Sequence, residues 1–153
     1  PVPLHRQASL RIRLKSDTLI QKSNYGIVSL DKNGKESWLG GDYAHGGITA
    51  SIRELGGRYA VAVDNMAPVI TPLQPENWKS RRTIRIRLSD NKSGIAFFRG
   101  EINGKFVLFT HDSKSNVYSY HFNDERLNKG EEMTLVFTAT DSAGNSSEYN
   151  SKL

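Results

Sequence analysis

Alternating apolar and charged residues mark two stretches of the chain and predict a β-strand in each. In residues 10–15, and again in residues 84–88, aliphatic side chains alternate with cationic or polar ones. Successive side chains of a strand point to opposite faces, so this period of two places the aliphatic residues inward and the cations outward. Burying one such side chain contributes about 1.5–3 kcal/mol, so a slip of either strand by one residue is strongly disfavoured. The predicted inward side chains are Leu10, Ile12, Leu14, Ile84, Ile86 and Leu88.

Two Asn-Gly pairs predict tight turns between strands. Asn33-Gly34 and Asn103-Gly104 have the sequence preferred in a type I′ hairpin turn, where both central residues need a positive φ. An apolar run precedes the first pair at residues 25–30, and another follows the second pair at residues 106–109. Each pair is therefore predicted to close a β-hairpin.

Two later stretches complete the set of predicted strands. Residues 117–122 alternate again and place Tyr118, Tyr120 and Phe122 on one face. Residues 133–140 form a further apolar run, which the turn-forming sequence Asp-Ser-Ala-Gly-Asn then ends. Many short strands separated by turn residues are typical of an antiparallel sandwich.

The chain repeats itself weakly. Residues 10–17 return at residues 84–90 with an offset of 74 positions, and the Asn-Gly pair returns with an offset of 70. The apolar run at 59–64 ends at Asp64, and its later counterpart ends at Asp141, 77 positions further on. Three anchors in the same order and at similar offsets favour two copies of one unit.

The segment between the copies is rich in proline. Residues 65–75 contain Pro68, Pro72 and Pro75. Proline blocks a helix and disfavours a central strand, so this segment is predicted to be an extended connector. We therefore predict an all-β fold of two tandem, small, antiparallel β-sandwich (immunoglobulin-like) modules, residues 1–66 and 67–153. The first module is short for such a sandwich, and the sequence leaves open whether it is incomplete.

Charge does not single out a nucleic-acid surface. The net charge is +5, with nine Lys and Arg against six Asp and Glu in residues 1–66, and twelve against ten in residues 67–153. Neither half carries a concentrated basic patch, so no nucleic-acid partner is expected.

Other features of composition exclude whole classes of chemistry. The chain has no cysteine, which excludes disulfides, thiolate zinc sites and thiol nucleophiles. No apolar run approaches the roughly 20 residues of a membrane-spanning helix, so no membrane span is expected. The chain begins Pro1-Val2-Pro3, without an initiator Met or a signal peptide, and we interpret it as a piece of a longer protein.

The four histidines do not predict a metal site. No two of His5, His45, His111 and His121 have the His-x-His or His-Glu-x-x-His spacing that places zinc ligands on one face. His121 is predicted to lie on the outward face of its strand. The His111-Asp112 pair is predicted to form a turn, and His45 lies in a Gly-rich stretch that is interpreted as an ordinary loop.

Acid–base and nucleophilic catalysis gain no support either. The aspartates lie mostly at predicted turns, where Asp accepts hydrogen bonds from its own backbone. The sequence has no Gly-x-Ser-x-Gly elbow and no phosphate-binding glycine motif. We therefore predict no catalytic residue, no cofactor-binding residue, no metal ligand and no cofactor. A hydrolase assembled from scattered Asp, Glu and His stays an alternative, because such groups need to meet only in space.

Two weaker binding hypotheses remain. Loop oxygens of residues 90–94, together with Asp141, are hard ligands of the kind that calcium prefers, although the spacing is not that of an EF-hand and a plain turn is favoured. Trp38, Tyr43 and Tyr59 are candidates for an aromatic platform under a sugar ring, with core packing as the favoured alternative.

Several motifs resemble a known family. Residues 90–95 read Asp-x-x-Ser-Gly-Ile, and residues 139–145 close with Ala-Thr-Asp-Ser-Ala-Gly-Asn, as in the immunoglobulin-like modules of large exported bacterial proteins. The longer order, from 56–64 through Ala-Pro-Val-Ile at 67–70 to residues 90–95, resembles the region after the catalytic domain of lysostaphin-type zinc metallopeptidases of Bacteroidetes. This resemblance covers most of the chain from about Leu10 onward.

The resemblance implies an accessory role. The family's zinc ligands, a His-x-x-x-Asp and a His-x-His, match no positions of this chain, so its catalytic residues are not carried over. We expect a non-catalytic structural or targeting region of an exported protein, periplasmic or at the cell surface, joined to a peptidoglycan-directed peptidase. The expected partner is a neighbouring domain of the same polypeptide. The alternative is a module that binds cell wall or glycan through exposed aromatic residues and basic strand faces.

Overall fold

A computed structural model describes residues 1–122 and 132–153. The fold is all-β, as predicted: among the described residues, strands make up 60% and helices 7%, and the strands form four antiparallel sheets. The longest α-helix in the described residues has four residues, so none of the described helices is long enough to cross a membrane.

The chain divides into two compact units. The first contains residues 1–66 together with 91–93 and 142–145, and the second contains residues 67–90, 94–141 and 146–153. Two short loops from the later sequence thus group with the first unit. The division into two independent modules after residue 66 stays a prediction.

The first unit contains six strands in two three-stranded sheets. One sheet has the order β1-β5-β4 and the other β3-β2-β6. A short 3₁₀ turn at Lys22–Asn24 precedes β2. The strands are β1 (Val2–Arg13), β2 (Tyr25–Leu30), β3 (Glu36–Gly40), β4 (Asp42–Ala44), β5 (Gly47–Leu55) and β6 (Arg58–Val63).

The core of the first unit lies between its two sheets. Tyr25 and Ile27 of β2 and Ile48 and Ala50 of β5 are buried there. Leu10, Ile12 and Leu14 pack against this cluster, while the arginines between them are exposed. The predicted inward face of β1 is therefore confirmed.

The described residues of the second unit form eight strands in two four-stranded sheets. Their orders are β11-β12-β8-β7 and β10-β9-β13-β14. A 3₁₀ turn at Pro75–Asn77 and the helix α1 (Trp78–Arg81) connect β7 to β8. The strands are β7 (Val69–Pro72), β8 (Thr83–Ser89), β9 (Ile95–Ile102), β10 (Lys105–Val107), β11 (Thr110–Asp112), β12 (Val117–His121), β13 (Thr134–Asp141) and β14 (Ser146–Lys152).

The core of the second unit follows the predicted alternation. Ile84, Ile86 and Leu88 are buried on β8. Tyr118 and Tyr120 are buried beside them, because they lie opposite Ile86 and Ile84 in the pairing of β12 with β8. The predictions for both strands are confirmed.

The two units share one strand order. The sheet β1-β5-β4 corresponds to β8-β12-β11, and β3-β2-β6 corresponds to β10-β9-β13. The second unit adds β7 outside β8 and β14 outside β13. The three repeated sequence anchors lie on corresponding strands or hairpins, so the repeat in sequence accompanies a repeat in topology.

The prediction of an extended connector over residues 65–75 is wrong in part. Val69–Pro72 forms β7, which pairs antiparallel with β8 at the edge of its sheet. Proline is excluded from central strands because it lacks an N–H donor, but an edge strand tolerates it. The residues that were expected to separate two modules thus begin the second unit.

One of the two predicted type I′ turns is wrong. Asn103 and Gly104 have φ of 49° and 73°, as that turn requires. In the first hairpin Gly34 alone of the pair has a positive φ, of 82°. The carboxylate of Asp31 accepts hydrogen bonds from the backbone N–H groups of Asn33 and Lys35, and this favours a longer turn in which Asn33 keeps a negative φ.

Candidate functional site

Exposed aspartates organise two of the turns, as the sequence predicts. Asp31 Oδ1 accepts the N–H groups of Lys35 at 2.9 Å and Asn33 at 2.8 Å, and these bonds lower the pKa of Asp31. The hydroxyl of Ser115 donates to Asp112 at 2.7 Å, and the N–H of Lys114 donates at 3.0 Å. These bonds lower the pKa of Asp112. Both carboxylates therefore stay ionised and hold the backbone of their turns through these hydrogen bonds.

Two groups of the calcium hypothesis, Asp90 and Asp141, lie close together in the second unit. Asp90 Oδ2 accepts the N–H of Gly94 at 2.7 Å, which closes the loop after β8. Asp141 is buried at the end of β13, and its carboxylate has an oxygen within 4.8 Å of one from Asp90. Calcium takes about six to eight oxygen ligands, so this pair alone does not define a site. Calcium binding stays a hypothesis.

A buried polar network holds the loops of the first unit, and the sequence did not predict it. Asn24 Nδ2 donates to Asn145 Oδ1 at 2.8 Å and to the carbonyl of Ala143 at 3.2 Å. Asn145 Nδ2 donates in turn to the carbonyl of Asp64 at 2.9 Å. The carboxylate of Asp64 is 1% exposed and accepts the N–H of Ser93 at 2.9 Å. The network thus fixes segments that are far apart in the sequence.

Asp17, Lys22 and Tyr43 form a charged cluster on the first unit, which the sequence did not predict. Lys22 Nζ lies 2.5 Å from Asp17 Oδ1, the hydroxyl of Tyr43 donates to Asp17 Oδ2, and Lys22 Nζ lies 5.2 Å above the Tyr43 ring. The hydrogen bond from Lys22, and then that from Tyr43, lowers the pKa of Asp17. The same Asp17 raises the pKa of Tyr43 and of Lys22. At neutral pH this is therefore a fixed ion pair with a neutral phenol.

Tyr25 ties this cluster to the core. Its hydroxyl oxygen accepts the N–H groups of Thr18 at 3.0 Å and Leu19 at 3.1 Å, and its ring stacks on Tyr43 with centroids 6.5 Å apart. The bond from Leu19 lowers the pKa of Tyr25. The cluster as a whole holds the loop before β2.

The structure places the four histidines on four separate elements. His5 is exposed on β1, and His45 occupies the β4–β5 turn with φ of 47°. His121 is exposed, as predicted, with Nδ1 3.0 Å from Thr83 Oγ1. The prediction of a turn at residues 111–112 is wrong: His111 pairs with Tyr118 in β11, and their rings stack with centroids 4.3 Å apart. The turn comes afterwards, where Asp112 caps it.

The three candidate platform aromatics do not share a surface. Tyr43 and Tyr59 pack against the core of the first unit, between its sheets. Trp38 lies opposite Val28, on the other face of the β3-β2-β6 sheet. The structure favours the packing interpretation over a sugar platform of these three residues.

An open cleft of about 740 Å³ lies in the first unit and was not predicted. Ser29 and Ser37 line it from opposite positions on β2 and β3, and Tyr59 lies opposite Ser29 on β6. The Tyr59 hydroxyl donates to the carbonyl of Glu54 at 2.9 Å. Arg58 also lines the cleft and donates to the carbonyl of Asp31. Hydroxyls next to charged groups suit a polar ligand.

Part of the chain is similar to a known domain family. Residues 1–64, fewer than half of the 153, match the Zu5-like domain family. The matched residues fall within the first unit. No curated protein matches the sequence. The resemblance to lysostaphin-type metallopeptidases gains no support from this match and stays a prediction.

Proposed function

We propose that this chain is a non-catalytic accessory region of an exported cell-envelope protein, where it positions a neighbouring domain of the same polypeptide. The observation that carries the proposal is the structural role of three aspartates. Asp17, Asp31 and Asp112 all hold loops or turns through hydrogen bonds. Each has a lowered pKa because of those bonds.

Such carboxylates are poor general acids or bases. A group that transfers protons near neutral pH works best with a pKa near that pH. The pKa of an aspartate is already well below neutral pH, and lowering it increases the difference. Their oxygens are also engaged by backbone or side-chain donors. These groups therefore serve the architecture of the fold. By the sequence resemblance, the neighbouring domain would be a peptidoglycan-directed zinc metallopeptidase.

A second candidate function is glycan binding, and the cleft of the first unit favours it. Ser29, Ser37 and Tyr59, three residues with hydroxyl groups, line that cleft from paired positions on neighbouring strands. Hydroxyls next to charged groups are what a sugar needs for orientation, with aromatic carbon for contact. In this function the chain would attach its parent protein to the cell wall.

One experiment separates the accessory, binding and enzymatic functions. The purified chain is incubated with peptidoglycan, after which soluble fragments and co-sedimented protein are measured. The accessory function predicts no released fragments and no stoichiometric co-sedimentation. Release of fragments that one substitution, such as Asp90→Asn, abolishes would overturn the non-catalytic proposal.

Co-sedimentation without release would favour the glycan-binding function. In that case the double variant Ser29→Ala with Ser37→Ala should lose binding. Ser16→Ala is the matched control, because Ser16 is exposed and does not line the cleft.

A further inference from the structure

The long strand β1 has one open edge. In the described residues, β1 is the outer strand of its sheet, and β5 is its one hydrogen-bonded neighbour. Its counterpart β8 in the second unit lies between β12 and β7. The same fold thus carries an additional strand at this position in one unit and leaves the position open in the other.

The backbone register shows that the two positions are equivalent. The N–H of Leu14 donates to the carbonyl of Gly46 at 2.8 Å, and the N–H of Leu88 donates to the carbonyl of Asn116 at 3.2 Å. Leu14 and Leu88 are 74 positions apart, the offset of the sequence repeat. Each bond joins the C-terminal end of β1 or β8 to the turn that precedes its neighbour, β5 or β12. Equivalent residues of β1 and β8 therefore direct their backbone groups to that neighbour, and we call this shared alternation the phase of the two strands.

This phase determines which backbone groups face the open edge. In an antiparallel pair, every second residue directs its N–H and C=O to the partner, and the residues between direct theirs away. Because Leu14 bonds towards β5, the groups of Ser9, Arg11 and Arg13 point to the open edge.

In the second unit β7 and the residue that follows it contact the corresponding positions of β8. The carbonyl of Arg85 accepts the N–H of Leu73 at 2.9 Å, and Thr71 lies opposite Arg87. Arg85 and Arg87 are the repeat counterparts of Arg11 and Arg13. An added strand on β1 would therefore make the bonds that β7 makes on β8.

We propose that the open edge of β1 binds an extended acidic peptide segment as an additional antiparallel strand. Peptide addition to a sheet edge gains affinity from main-chain hydrogen bonds, and alternate side chains supply specificity. The Arg11 guanidinium lies over Gly47 of β5 and donates to the β4–β5 turn, away from the open edge. Two exposed cations remain next to this edge, Arg13 on the outer face and Lys15 just beyond the strand. Carboxylates at alternate positions of the segment would face them, and apolar residues between would lie beside Leu10 and Ile12.

Charge also argues against a second copy of this chain as the occupant. Two β1 strands paired edge to edge would bring the cationic outer faces of both copies together. Like charges on directly opposed strand positions are destabilising. Lys and Arg at an edge are also a common means by which β-proteins avoid pairing with themselves.

The test uses amide hydrogen exchange of the full chain, resolved by residue with NMR. The probe is an acetylated eight-residue peptide of alternating Val and Glu, and its control replaces each Glu with Lys. Without peptide, the Arg11 and Arg13 amides should exchange at least about tenfold faster than that of Arg87, which pairs with Thr71 of β7. The Glu peptide should slow Arg11 and Arg13 by about tenfold or more, and the Lys peptide should leave them unchanged.

A charge-reversal variant sharpens the result. Arg13→Glu retains the backbone donor at the edge but should shift the preference from the Glu peptide to the Lys peptide, with the fold checked by circular dichroism. If this variant does not fold, Lys15→Glu, just beyond the strand, serves the same purpose.

Three outcomes would overturn the proposal. The Glu peptide could fail to protect Arg11 and Arg13 at millimolar concentration. Protection could instead appear on the open edge of β6, at Tyr59, Val61 and Val63. Protection of Arg11 and Arg13 that rises with protein concentration, in the absence of any peptide, would identify a second copy as the occupant.

Discussion

The indole ring of Trp38 occupies the space in which a side chain of Gly26 would stand. A methyl group at residue 26 would lie 2.3 Å from Cζ2 of Trp38 and 2.4 Å from Cη2, far inside van der Waals contact. Trp38 lies opposite Val28 in the β2–β3 pair, and Val28 is 1% exposed. Gly26 therefore lets a large aromatic ring cover the outer face of β2.

Gly26→Ala should destabilise the protein by about 1–3 kcal/mol, because the methyl group displaces a packed ring rather than a flexible chain end. The double variant Gly26→Ala with Trp38→Ala should show less destabilisation than the sum of the two single changes. Urea denaturation of the four proteins measures this coupling. If the destabilisation of the double variant equals the sum of the two single changes, the Trp38 ring moves aside without a loss of stability.

Trp38→Phe is the matched control for the same site. In the part of the chain that the structure describes, Trp38 Nε1 is buried and has no hydrogen-bond partner. The phenylalanine variant therefore loses aromatic area but no hydrogen bond, and it should cost less than Trp38→Ala.

A contrasting outcome is expected at Gly47. A methyl group there would lie 2.6 Å from the guanidinium carbon of Arg11, which is the end of a long side chain. That guanidinium donates to the carbonyls of Ala44 at 2.7 Å and His45 at 3.2 Å across the β4–β5 turn. Gly47→Ala should displace it and cost about 0.5–1.5 kcal/mol, the range of an ordinary hydrogen bond, because these bonds of the charged guanidinium are exposed to water.

Arg11→Ala should cost a similar amount, and adding Gly47→Ala to it should cost almost nothing more. Thermal or urea unfolding of the single and double variants checks this. A large additional loss in the double variant would mean that Gly47 is required for some reason other than the position of Arg11.

The alternation of buried and exposed side chains along β1 and β8 could be predicted from the sequence, because it depends on local strand geometry alone. Leu10 and Ile84 both start aliphatic series with a period of two, and both series face a core. The Asn103-Gly104 turn was readable for the same reason, since both residues tolerate positive φ. Asn33-Gly34 does not form this turn, because the carboxylate of Asp31 accepts a hydrogen bond from the backbone N–H of Asn33.

The remaining features depend on partners that local sequence does not reveal. Asn24 bonds to Asn145, 121 positions away, and Tyr43 bonds to Asp17, 26 positions away. The edge strand over residues 69–72 was missed because proline excludes only the interior of a sheet. The cleft beside Tyr59 is lined by residues of four strands and two turns, so no single segment of the sequence predicts it.

Acid should weaken the first unit through Asp17. Its folded-state pKa is lowered by Lys22 and Tyr43, so its contribution to stability is present above the unfolded-state value near 3.8. The contribution is lost as the pH falls through the lower folded-state pKa. Asp17→Asn should therefore be less stable than the wild type at pH near 7 and lose less on acidification below about 4.

Thermal unfolding at a series of pH values measures this difference. Asp42→Asn is the matched control, because it removes an exposed carboxylate from the same unit that accepts no hydrogen bond among the described residues. An Asp17→Asn profile parallel to that of the wild type would contradict the role of the Asp17 cluster.

The first unit should depend on residues far beyond position 66. Asn145→Ala removes the acceptor for Asn24 Nδ2 and the donor to the Asp64 carbonyl, at sites that are buried or half-buried. Asn24 Nδ2 keeps its bond to the carbonyl of Ala143, but the carbonyl of the buried Asp64 loses its side-chain donor. Losing such a donor costs about 1–3 kcal/mol, so this variant should unfold at a lower urea concentration than the wild type. A chain of residues 1–66 alone lacks Ser93, Ala143 and Asn145 together, and it should be less stable still. If residues 1–66 instead unfold cooperatively with the stability of the first unit in the full chain, the loops 91–93 and 142–145 are not needed and the unit is complete without them.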